Sequence, residues 1–301
     1  MMCADFPLAL TAPQSSRLQI TIEGKPVQVR RGENAGFWSS YERGVWEPET
    51  LAVFRRFIDT EHSYIDMGAW IGPTLLLGCQ LARRAYGVEP DPLAYAELAD
   101  NIKYNRPLTN NVQLFNLCIT SVSGKVSLGS RSAGGDSMSS LLFSNEKTSW
   151  IVDGMNFQEW VEQNEINDCN FIKIDIEGGE YGVLPTMTPY LRNHRPTLYL
   201  SLHPCFLGER CAPGVKARLK RSVMRLGNTI RILNIVRFYP YWYDPSCKVP
   251  SLGGNSLRSR LRNRLAGISW KPVVRLVTCL RGIFGRPHAL VLTHQEWHVP
   301  D

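Results

Sequence analysis

Residues 64–72 and 87–91 constrain the fold of this chain more than any other part of the sequence. An apolar run reaches Asp66, a glycine turn starts at Gly68, and a second apolar run ends at Glu89. Gly68 and Glu89 lie 21 residues apart, the separation at which one βαβ unit returns a second strand tip beside the first. The sequence therefore predicts a parallel α/β sheet with two carboxylates side by side at one edge.

The glycine spacing of the turn indicates which cofactor such an edge would bind. A dinucleotide site needs the pattern G-x-G-x-x-G, so that backbone amides at a helix N-terminus cradle a pyrophosphate. This turn reads Gly68-x-x-x-Gly72, a looser loop that suits a cofactor without phosphates whose amino-acid tail passes close to the backbone. S-adenosylmethionine (SAM) fits that description better than NAD. We expect Glu89 to accept both ribose hydroxyls, and Asp66 to order the loop and meet the methionine ammonium directly or through water.

Three sequence blocks resemble the FkbM-type SAM-dependent methyltransferases. They follow that family's order of D-x-G-A-x-x-G, E-P-D-P and I-K-x-D-x-E-G-x-E. In this chain the blocks are Asp66-Met67-Gly68-Ala69-Trp70-Ile71-Gly72, Glu89-Pro90-Asp91-Pro92 and Ile172-Lys173-Ile174-Asp175-Ile176-Glu177-Gly178-Gly179-Glu180.

The resemblance covers roughly residues 46–204 and implies a class I methyltransferase fold. It also implies methyl transfer to a hydroxyl oxygen of a sugar or natural product. The sequence departs from the family at Ser201, where the family often has a glutamate. The cofactor-binding residues that follow from the turn, its spacing and the family blocks are Asp66, Gly68, Ala69, Gly72, Glu89 and Pro90.

The segments along the chain are those of one α/β domain with additions, which a length of 301 residues allows. We predict a doubly wound, mostly parallel sheet (Rossmann-like), with an N-terminal hairpin and a basic helical insertion before the last strand. That last strand, at residues 288–293, is expected to be an antiparallel edge strand. Pro185 and Pro189 predict that the helix after residue 179 is short or kinked. The predicted segments are 1–60 for the N-terminal preface, 61–206 for the SAM-binding core, 207–286 for the basic amphipathic insertion and 287–301 for the returning strand.

Catalytic candidates come from the carboxyl ends of the later strands. Ligands of a doubly wound sheet bind beyond these ends, which brings Asp175, Glu177 and His203 to the same rim as Asp66 and Glu89. Methyl transfer to an alcohol requires a base that accepts the hydroxyl proton. Asp175 is our first choice for this role. His203 is the alternative, because an imidazole titrates near neutral pH.

Other roles are open for the acidic residues of this rim. Glu177 and Glu180 are expected to shape the turn and the helix start, where carboxylates favour the exposed amides. Asp175 could also do no more than cap the turn, and His203 no more than pack beside it. Together with Glu177, these two residues could bind a hard divalent ion such as Mg²⁺. We predict no metal site.

The net charge of +7 conceals an uneven distribution. Residues 207–286 hold 17 Lys or Arg against two acidic residues, a net charge of +15, whereas the rest of the chain holds 17 against 25, a net charge of −8. Residues 215–236 and 257–284 have the pattern of basic amphipathic helices, with the aromatic run 238–243 between them. Such a surface suits contact with an anionic membrane, which would place the active site over a lipid-linked acceptor. Alternatively, these helices form a lid on the catalytic domain with solvated arginines.

The cysteines and the N-terminus indicate the compartment. The eight cysteines form no C-x-x-C pair, and several lie in apolar runs typical of buried free thiols in a reducing environment. The N-terminus lacks the basic region and apolar length of a signal peptide, and no run approaches the length of a membrane span. We therefore expect a cytoplasmic protein, with peripheral contact at the inner membrane face as a further expectation.

Three functions are compatible with these features. The leading hypothesis is a SAM-dependent O-methyltransferase acting on a sugar hydroxyl of a glycan or glycolipid, or on a secondary metabolite. The second is an RNA methyltransferase that binds phosphates through the basic insertion, although no recognisable RNA-binding module accompanies it. The third is a non-catalytic interaction protein that retains SAM binding.

Overall fold

The computed structural model describes residues 17–130, 148–208, 214–245 and 271–297. The sequence also predicts a loop at residues 134–140, where small residues predominate. This segment and the alternating Arg–Leu segment at 257–265 lie outside the described residues. The strands are β1 (Arg17–Ile22), β2 (Lys25–Arg30), β3 (Ser63–Met67), β4 (Arg84–Val88), β5 (Val112–Phe115), β6 (Cys118–Thr120), β7 (Gly124–Ser130), β8 (Thr148–Asn156), β9 (Cys169–Ile174), β10 (Thr197–Leu202), β11 (Tyr241–Tyr243) and β12 (His288–Thr293). The helices are α1 (Ala35–Glu42), α2 (Pro48–Phe57), α3 (Pro73–Leu81), α4 (Pro92–Tyr104), α5 (Phe157–Gln163), α6 (Glu180–His194), α7 (Val215–Ile235) and α8 (Lys271–Ile283).

A seven-stranded sheet forms the centre of the fold, in the order β11-β12-β10-β9-β3-β4-β5. Strands β5, β4, β3, β9 and β10 are parallel to their neighbours, and only β12 runs against the strands on both of its sides. This is the mixed, mostly parallel α/β sheet of the class I methyltransferases, as the sequence predicted. β3 is buried at every position, because helices cover both faces of a parallel sheet.

The edge of the sheet differs from the prediction. β12 is antiparallel as expected, but β11 pairs with its outer side, so the prediction that residues 288–293 form the edge strand is wrong. β11 has three residues, too few to show an alternating pattern in the sequence. It also lies within the predicted insertion, which therefore contributes a strand to the core.

The N-terminal preface has the predicted elements. β1 and β2 form an antiparallel hairpin, and α2 begins at Pro48. The hairpin is attached to α4 by Asn101 and Asn105, whose side chains accept hydrogen bonds from the backbone N–H groups of Arg30 and Gln28, both at 2.7 Å. The preface therefore packs on the catalytic core.

Helix α6 is longer than predicted. It runs for 15 residues through Pro185 and Pro189. Pro189 has no N–H to donate to the carbonyl of Pro185, but the Thr188 hydroxyl donates to that carbonyl at 2.9 Å. This side-chain bond replaces the missing backbone bond and helps the helix to continue past Pro189.

The basic insertion contains the two predicted helices, as far as it is described. α7 extends over 215–235, and α8 extends over 271–283, within the described part of the second predicted segment. The aromatic run 238–243 is not part of an exposed surface, because Tyr239, Trp242 and Tyr243 are buried in the core. The buried thiols of Cys79, Cys118 and Cys169 are free, as predicted. Among the described residues, no helix has both the length and the apolar character that crossing a bilayer requires.

Candidate active site

The turn between β3 and α3 packs tightly against the end of β9. Gly68 has a φ of +81°, and a Cβ at this position would lie 1.9 Å from the backbone carbonyl oxygen of Asp175. Gly72 has a φ of +100° and precedes α3. Both positions therefore exclude a side chain, the first by close approach and both by backbone conformation. Position 68 therefore requires glycine because the ends of β3 and β9 are in close contact.

Asp66 lies buried at the end of β3 and forms an ion pair with Lys173 of β9. Its Oδ1 accepts a hydrogen bond from Lys173 Nζ at 3.1 Å, and its Oδ2 accepts one from the Thr74 hydroxyl at 2.7 Å. Lys173 Nζ also donates to the carbonyl of Gly68 at 2.8 Å. Asp66 therefore orders the loop, as predicted. Its contact with a methionine ammonium stays a prediction.

Lys173 is a site residue that the sequence analysis did not single out. Burial lowers the pKa of this lysine, but the charges of Asp66 and Asp175 more than offset that effect and raise it, so the ammonium is protonated. Its Nζ lies 3.6 Å from Asp175 Oδ2. The signal that could have found it is a lysine inside an otherwise apolar central strand.

Glu89, at the end of β4, connects the second strand tip to the loop. Its Oε2 accepts a hydrogen bond from Trp70 N–H and its Oε1 accepts one from Asp91 N–H, both at 2.8 Å. Burial raises the pKa of Glu89 to about 7. A carboxylate has about four acceptor positions, so two are left after these bonds, which fits a pair of ribose hydroxyls. Glu89 and Pro90 do not line the main cavity described below, and their cofactor contacts stay predictions.

Asp175 follows β9 directly, and its backbone N–H donates to the carbonyl of Met67 at 3.0 Å. This bond continues the pairing of β9 with β3 and fixes Asp175 beside the glycine turn. The carboxylate is partly exposed and lies between two cationic side chains, with Lys173 on one side and His203 Nε2 at 3.6 Å from Oδ1 on the other. The structure therefore brings Asp175 and His203 together, as the sequence predicted.

His203 is held by Glu180, the fully buried first residue of α6. Glu180 Oε1 lies 2.9 Å from His203 Nδ1, and the same carboxylate accepts N–H bonds from Ile176 and Gly178. Burial alone would lower the pKa of His203, but its bond to Glu180 and the charges of Glu180 and the nearby acidic residues raise it to about 9. His203 is therefore an imidazolium at neutral pH. Glu180 shapes the turn and helix start, as predicted.

Glu177 lies in the turn after β9 and at the rim beside Asp175 and His203, where the sequence placed it. It adopts a left-handed backbone conformation with a φ of +49°, which places its carboxylate in the cavity, 3.7 Å from His203 Nε2. Burial raises the pKa of Glu177 to about 7, against the opposing effect of His203. Asp175, Glu177 and His203 each offer one ligand atom, and these atoms lie within 4.8 Å of one another. Among the described residues, these three side chains form the group that is close enough to hold a divalent ion, which would require His203 to lose its proton.

A cavity of about 650 Å³ opens in front of these groups. One wall is aromatic, because the ring of Phe37 meets those of Trp46 and Trp70 edge-on at centroid distances of 5.4 and 4.7 Å. Another part of the lining comes from the insertion and the start of the last strand, including Arg281 and Arg286. The remaining lining includes the cofactor turn, the end of β9 and the outward side of β10, with the residues Glu47, Gly68, Ala69, Lys173, Asp175, Glu177, Tyr199, Ser201 and His203.

The cavity has a carboxylate at the start of α2, although Ser201 stands where the family often has a glutamate. Ser201 lines the cavity, and Glu47 lines it too, at the start of α2. Glu47 accepts a hydrogen bond from Thr50 at 2.8 Å, and Thr50 shares a 2.7 Å bond with the Tyr199 hydroxyl. Burial raises the pKa of Glu47, and the charge of Asp175 adds to this effect. The N-terminal preface therefore supplies a cavity carboxylate that the β10 position does not.

Comparison with known proteins identifies the family of the central part of the chain. Residues 66–213 match the methyltransferase FkbM domain, which confirms the resemblance of the three sequence blocks. The match to this methyltransferase family implies that SAM is the methyl donor. No curated protein sequence matches the chain.

Solved structures of other methyltransferases align with parts of the chain. The FkbM methyltransferase of Methylobacillus flagellatus KT is 19% identical, with a TM-score of 0.35, over 54% of this chain and 42% of that one, so the chain covers less than half of its length. An rRNA methylase of Streptococcus thermophilus is 6% identical, with a TM-score of 0.36, over 82% and 95% of the two chains. SMU.776, solved in complex with SAH, is 9% identical, with a TM-score of 0.35, over 71% and 47%. The strand order of the chain itself, rather than these superpositions, defines its fold.

Proposed function

We propose that this chain, which carries an FkbM methyltransferase domain at residues 66–213, transfers a methyl group from SAM to a hydroxyl oxygen. The acceptor is a sugar of a glycan or glycolipid, or a secondary metabolite. One observation carries this proposal. The carboxylate of Asp175 lines a cavity of about 650 Å³, and its backbone touches Gly68 of the cofactor turn. A proton acceptor therefore lies where cofactor and acceptor would meet.

The residues at the first two strand tips fit SAM. The cavity reaches the backbone of Gly68 and Ala69, and Glu89 has two free acceptor positions behind the loop. When bound, SAM supplies an electrophilic methyl group: a C–O bond forms, the C–S bond breaks with its electrons going to sulfur, and the acceptor loses its hydroxyl proton. Lys173 and Thr74 keep the carboxylate of Asp66 fixed behind the turn. The site is thus preorganised, which lowers the cost of orienting the reactants.

Asp175 accepts the proton of the acceptor hydroxyl. Lys173 and His203 flank its carboxylate, and these two positive charges hold its orientation. His203 is protonated at neutral pH, so in this mechanism it positions Asp175 and Glu177. It could act as the base itself only after losing its own proton, near pH 9.

The lining of the cavity favours a sugar as the acceptor. The aromatic faces of Phe37, Trp46 and Trp70 suit the C–H face of a pyranose ring, because an aromatic face carries partial negative charge. Carboxylates such as Glu47 and Glu177 accept hydrogen bonds from hydroxyl groups. Aromatic rings together with several hydrogen-bond acceptors in one cavity are the combination that a polyhydroxylated ring needs.

Substitution of Asp175 and His203 tests the proposed function. We expect Asp175→Ala and His203→Ala to retain SAM binding and to lower turnover about a hundredfold. The assay is mass spectrometry of glycans, lipids and RNA from cells expressing each variant, which detects the added CH₂ unit. Asp153→Ala, which removes one partner of an exposed ion pair, is the matched control and should keep full activity.

The outcomes separate the three candidate functions. A methylated glycan, lipid or metabolite that disappears with Asp175→Ala supports the proposal. A methylated RNA would establish the alternative. SAM binding without any methylated product would identify a non-catalytic protein, and full activity of both variants would overturn the assignment of the base.

A further inference from the structure

Helix α7 exposes apolar side chains in a regular row. Val215, Leu219 and Val223 follow one another at intervals of four residues and are 62–83% exposed. Ile230 continues this face of the helix and is 40% exposed. The buried side of α7 is formed by other residues, among them Thr229 and Ile232. The exposed row is therefore not the face with which α7 packs on the protein.

Helix α8 repeats the arrangement. Leu276, Leu280 and Phe284 have the same spacing of four residues and are 46–70% exposed. The two helices pack on one another, with Gly282 of α8 directly against the side chain of Thr229. Of the eleven large apolar side chains that are exposed in the described part of the chain, seven belong to these two rows. Such clustering marks an interaction surface, whereas single exposed apolar residues are common on any protein.

The charge around the rows has one sign. Neither α7 nor α8 contains an acidic residue. The basic residues of the two helices stand beside and between the apolar positions, with most of them on α7. They are Lys216, Arg218, Lys220, Arg221, Arg225 and Arg231 of α7, and Lys271, Arg275 and Arg281 of α8.

A cationic groove adjoins this surface. It has a volume of about 630 Å³, lies between α6 and α7, and is lined by the exposed residues Arg192, Arg231 and Arg237. Among the described residues, no carboxylate forms an ion pair with any of these three arginines. Asn234 and Ile230 of α7 complete the groove on the side of the apolar row. Three guanidinium groups around one groove fit a phosphate, which accepts several hydrogen bonds at once.

We propose that α7, α8 and this groove dock the protein on an anionic phospholipid bilayer. The apolar rows enter the boundary between headgroups and acyl chains, and the arginines bind lipid phosphates. An RNA partner would match the positive charge but would leave the aliphatic rows in water. Stacking of bases needs aromatic side chains, and Phe284 is the sole aromatic residue of the rows, because the run 238–243 is largely buried. A bilayer therefore accounts for both the positive charge and the exposed apolar rows.

Helix α8 connects this surface to the acceptor cavity. Arg281 of α8 lines the cavity and donates a hydrogen bond to Asp244, also in the lining, at 2.8 Å. A bilayer that contacts α8 would therefore lie near one wall of the acceptor cavity. If the proposed methyl transfer is correct, which this step requires, the arrangement favours a lipid-linked acceptor.

Co-sedimentation with vesicles tests the docking proposal on the full chain. At physiological salt, we expect the protein to bind phosphatidylserine vesicles and to leave neutral phosphatidylcholine vesicles unbound. The double variant Leu219→Asp/Val223→Asp should weaken binding about tenfold or more, and so should Arg192→Gln/Arg231→Gln/Arg237→Gln. Val122→Asp and Arg31→Gln, which change exposed residues elsewhere, are the matched controls and should bind as the unchanged protein does.

Several results would overturn the proposal. Equal recovery with anionic and neutral vesicles would do so, as would unchanged binding of the Leu219→Asp/Val223→Asp variant. Tight RNA binding that the arginine variant loses and that the apolar variant keeps would assign the surface to nucleic acid. Circular dichroism of each variant confirms folding. SAM binding, which depends on the ends of β3 and β4 and on none of the substituted residues, should be unchanged in all of them, so failure here is distinguishable from failure of the proposed methyl transfer.

Discussion

Charged side chains have opposite arrangements at the carboxyl ends of the sheet and on the helical insertion. At the sheet ends, Asp66 and Lys173 are buried and paired, and Glu180 is buried against His203. On the insertion, Arg231 and the other groove arginines are exposed and have no ion-pair partner in the described structure. Burial at the sheet ends fixes the positions of the charged side chains. The exposed arginines of the insertion remain available to bind a partner.

The contrast separates two uses of charge in one chain. A buried pair costs desolvation, so it is retained where the position of a group matters more than stability. An exposed cation costs little and contributes little to folding. We therefore expect changes of charge at the sheet ends to alter stability and cofactor binding, and changes of the exposed charges on the insertion to alter binding to its partner with little effect on stability.

The largest expected effect is the loss of the buried cation. Lys173→Met leaves the carboxylate of Asp66 buried without its counter-charge, which should lower the free energy of unfolding by about 3–5 kcal/mol. Arg231→Met, on the exposed insertion, should change it by less than about 0.5 kcal/mol. Urea unfolding measures both values. Equal effects for the two substitutions would remove the contrast between the regions.

The second prediction concerns the glycine turn. Gly68→Ala adds a methyl group against the Asp175 carbonyl in a left-handed conformation and should cost about 2–3 kcal/mol or more. Gly24→Ala has nearly the same φ, +72°, but no atom within 4 Å of the new Cβ, and should cost about 1 kcal/mol. Gly227→Ala, in helix α7 and equally open, should stabilise by about 0.5–1 kcal/mol.

Thermal or urea unfolding of the three glycine variants gives the comparison. A cost at Gly68 no greater than that at Gly24 would show that the strand ends are not in the close contact described here.

The smallest predicted effect is the pH dependence of SAM affinity. Ribose hydroxyls donate to the ionised carboxylate of Glu89, whose pKa is about 7, so SAM affinity should rise with pH and level off above that value. Affinity at pH 6 should be about tenfold weaker than at pH 8. Equilibrium dialysis measures it, and Glu89→Gln should flatten the profile.

Vesicle binding, unlike SAM binding, should depend on salt and hardly on pH. Arginine keeps its charge across this pH range, so docking should vary little between pH 6 and 8 and should weaken as salt rises. A SAM affinity that is independent of pH, or vesicle binding that is independent of salt, would contradict the assignment of charge to the two regions.

The sequence predicted the sheet and its rim well, because both depend on local patterns. The apolar run to Asp66, the glycine turn and the return to Glu89 lie within one βαβ unit, so their spacing determines their proximity. The partner of Asp66 depends on register between distant strands, in which Asp66 lies opposite Lys173, and no spacing in the sequence encodes that register. Lys173 was therefore not assigned a role.

The acceptor cavity was the least predictable part of the site. Its walls come from the preface, the ends of β9 and β10, and the insertion, so Phe37, Trp46 and Arg286 meet across more than 200 residues of sequence. The aromatic run 238–243 was assigned to a surface, because a three-residue strand leaves no alternation from which burial can be inferred. Glu177 was placed at the rim and in the turn from its position after β9, whereas its left-handed conformation is visible only in the structure.

Equilibrium dialysis of labelled SAM with the folded protein at pH 8 tests the central claim most directly. The account predicts binding at one site per chain that Asp175→Ala retains and Glu89→Ala loses, with circular dichroism showing that each protein is folded. Folded protein that retains no SAM, or binding that survives the loss of the Glu89 carboxylate unchanged, would contradict it.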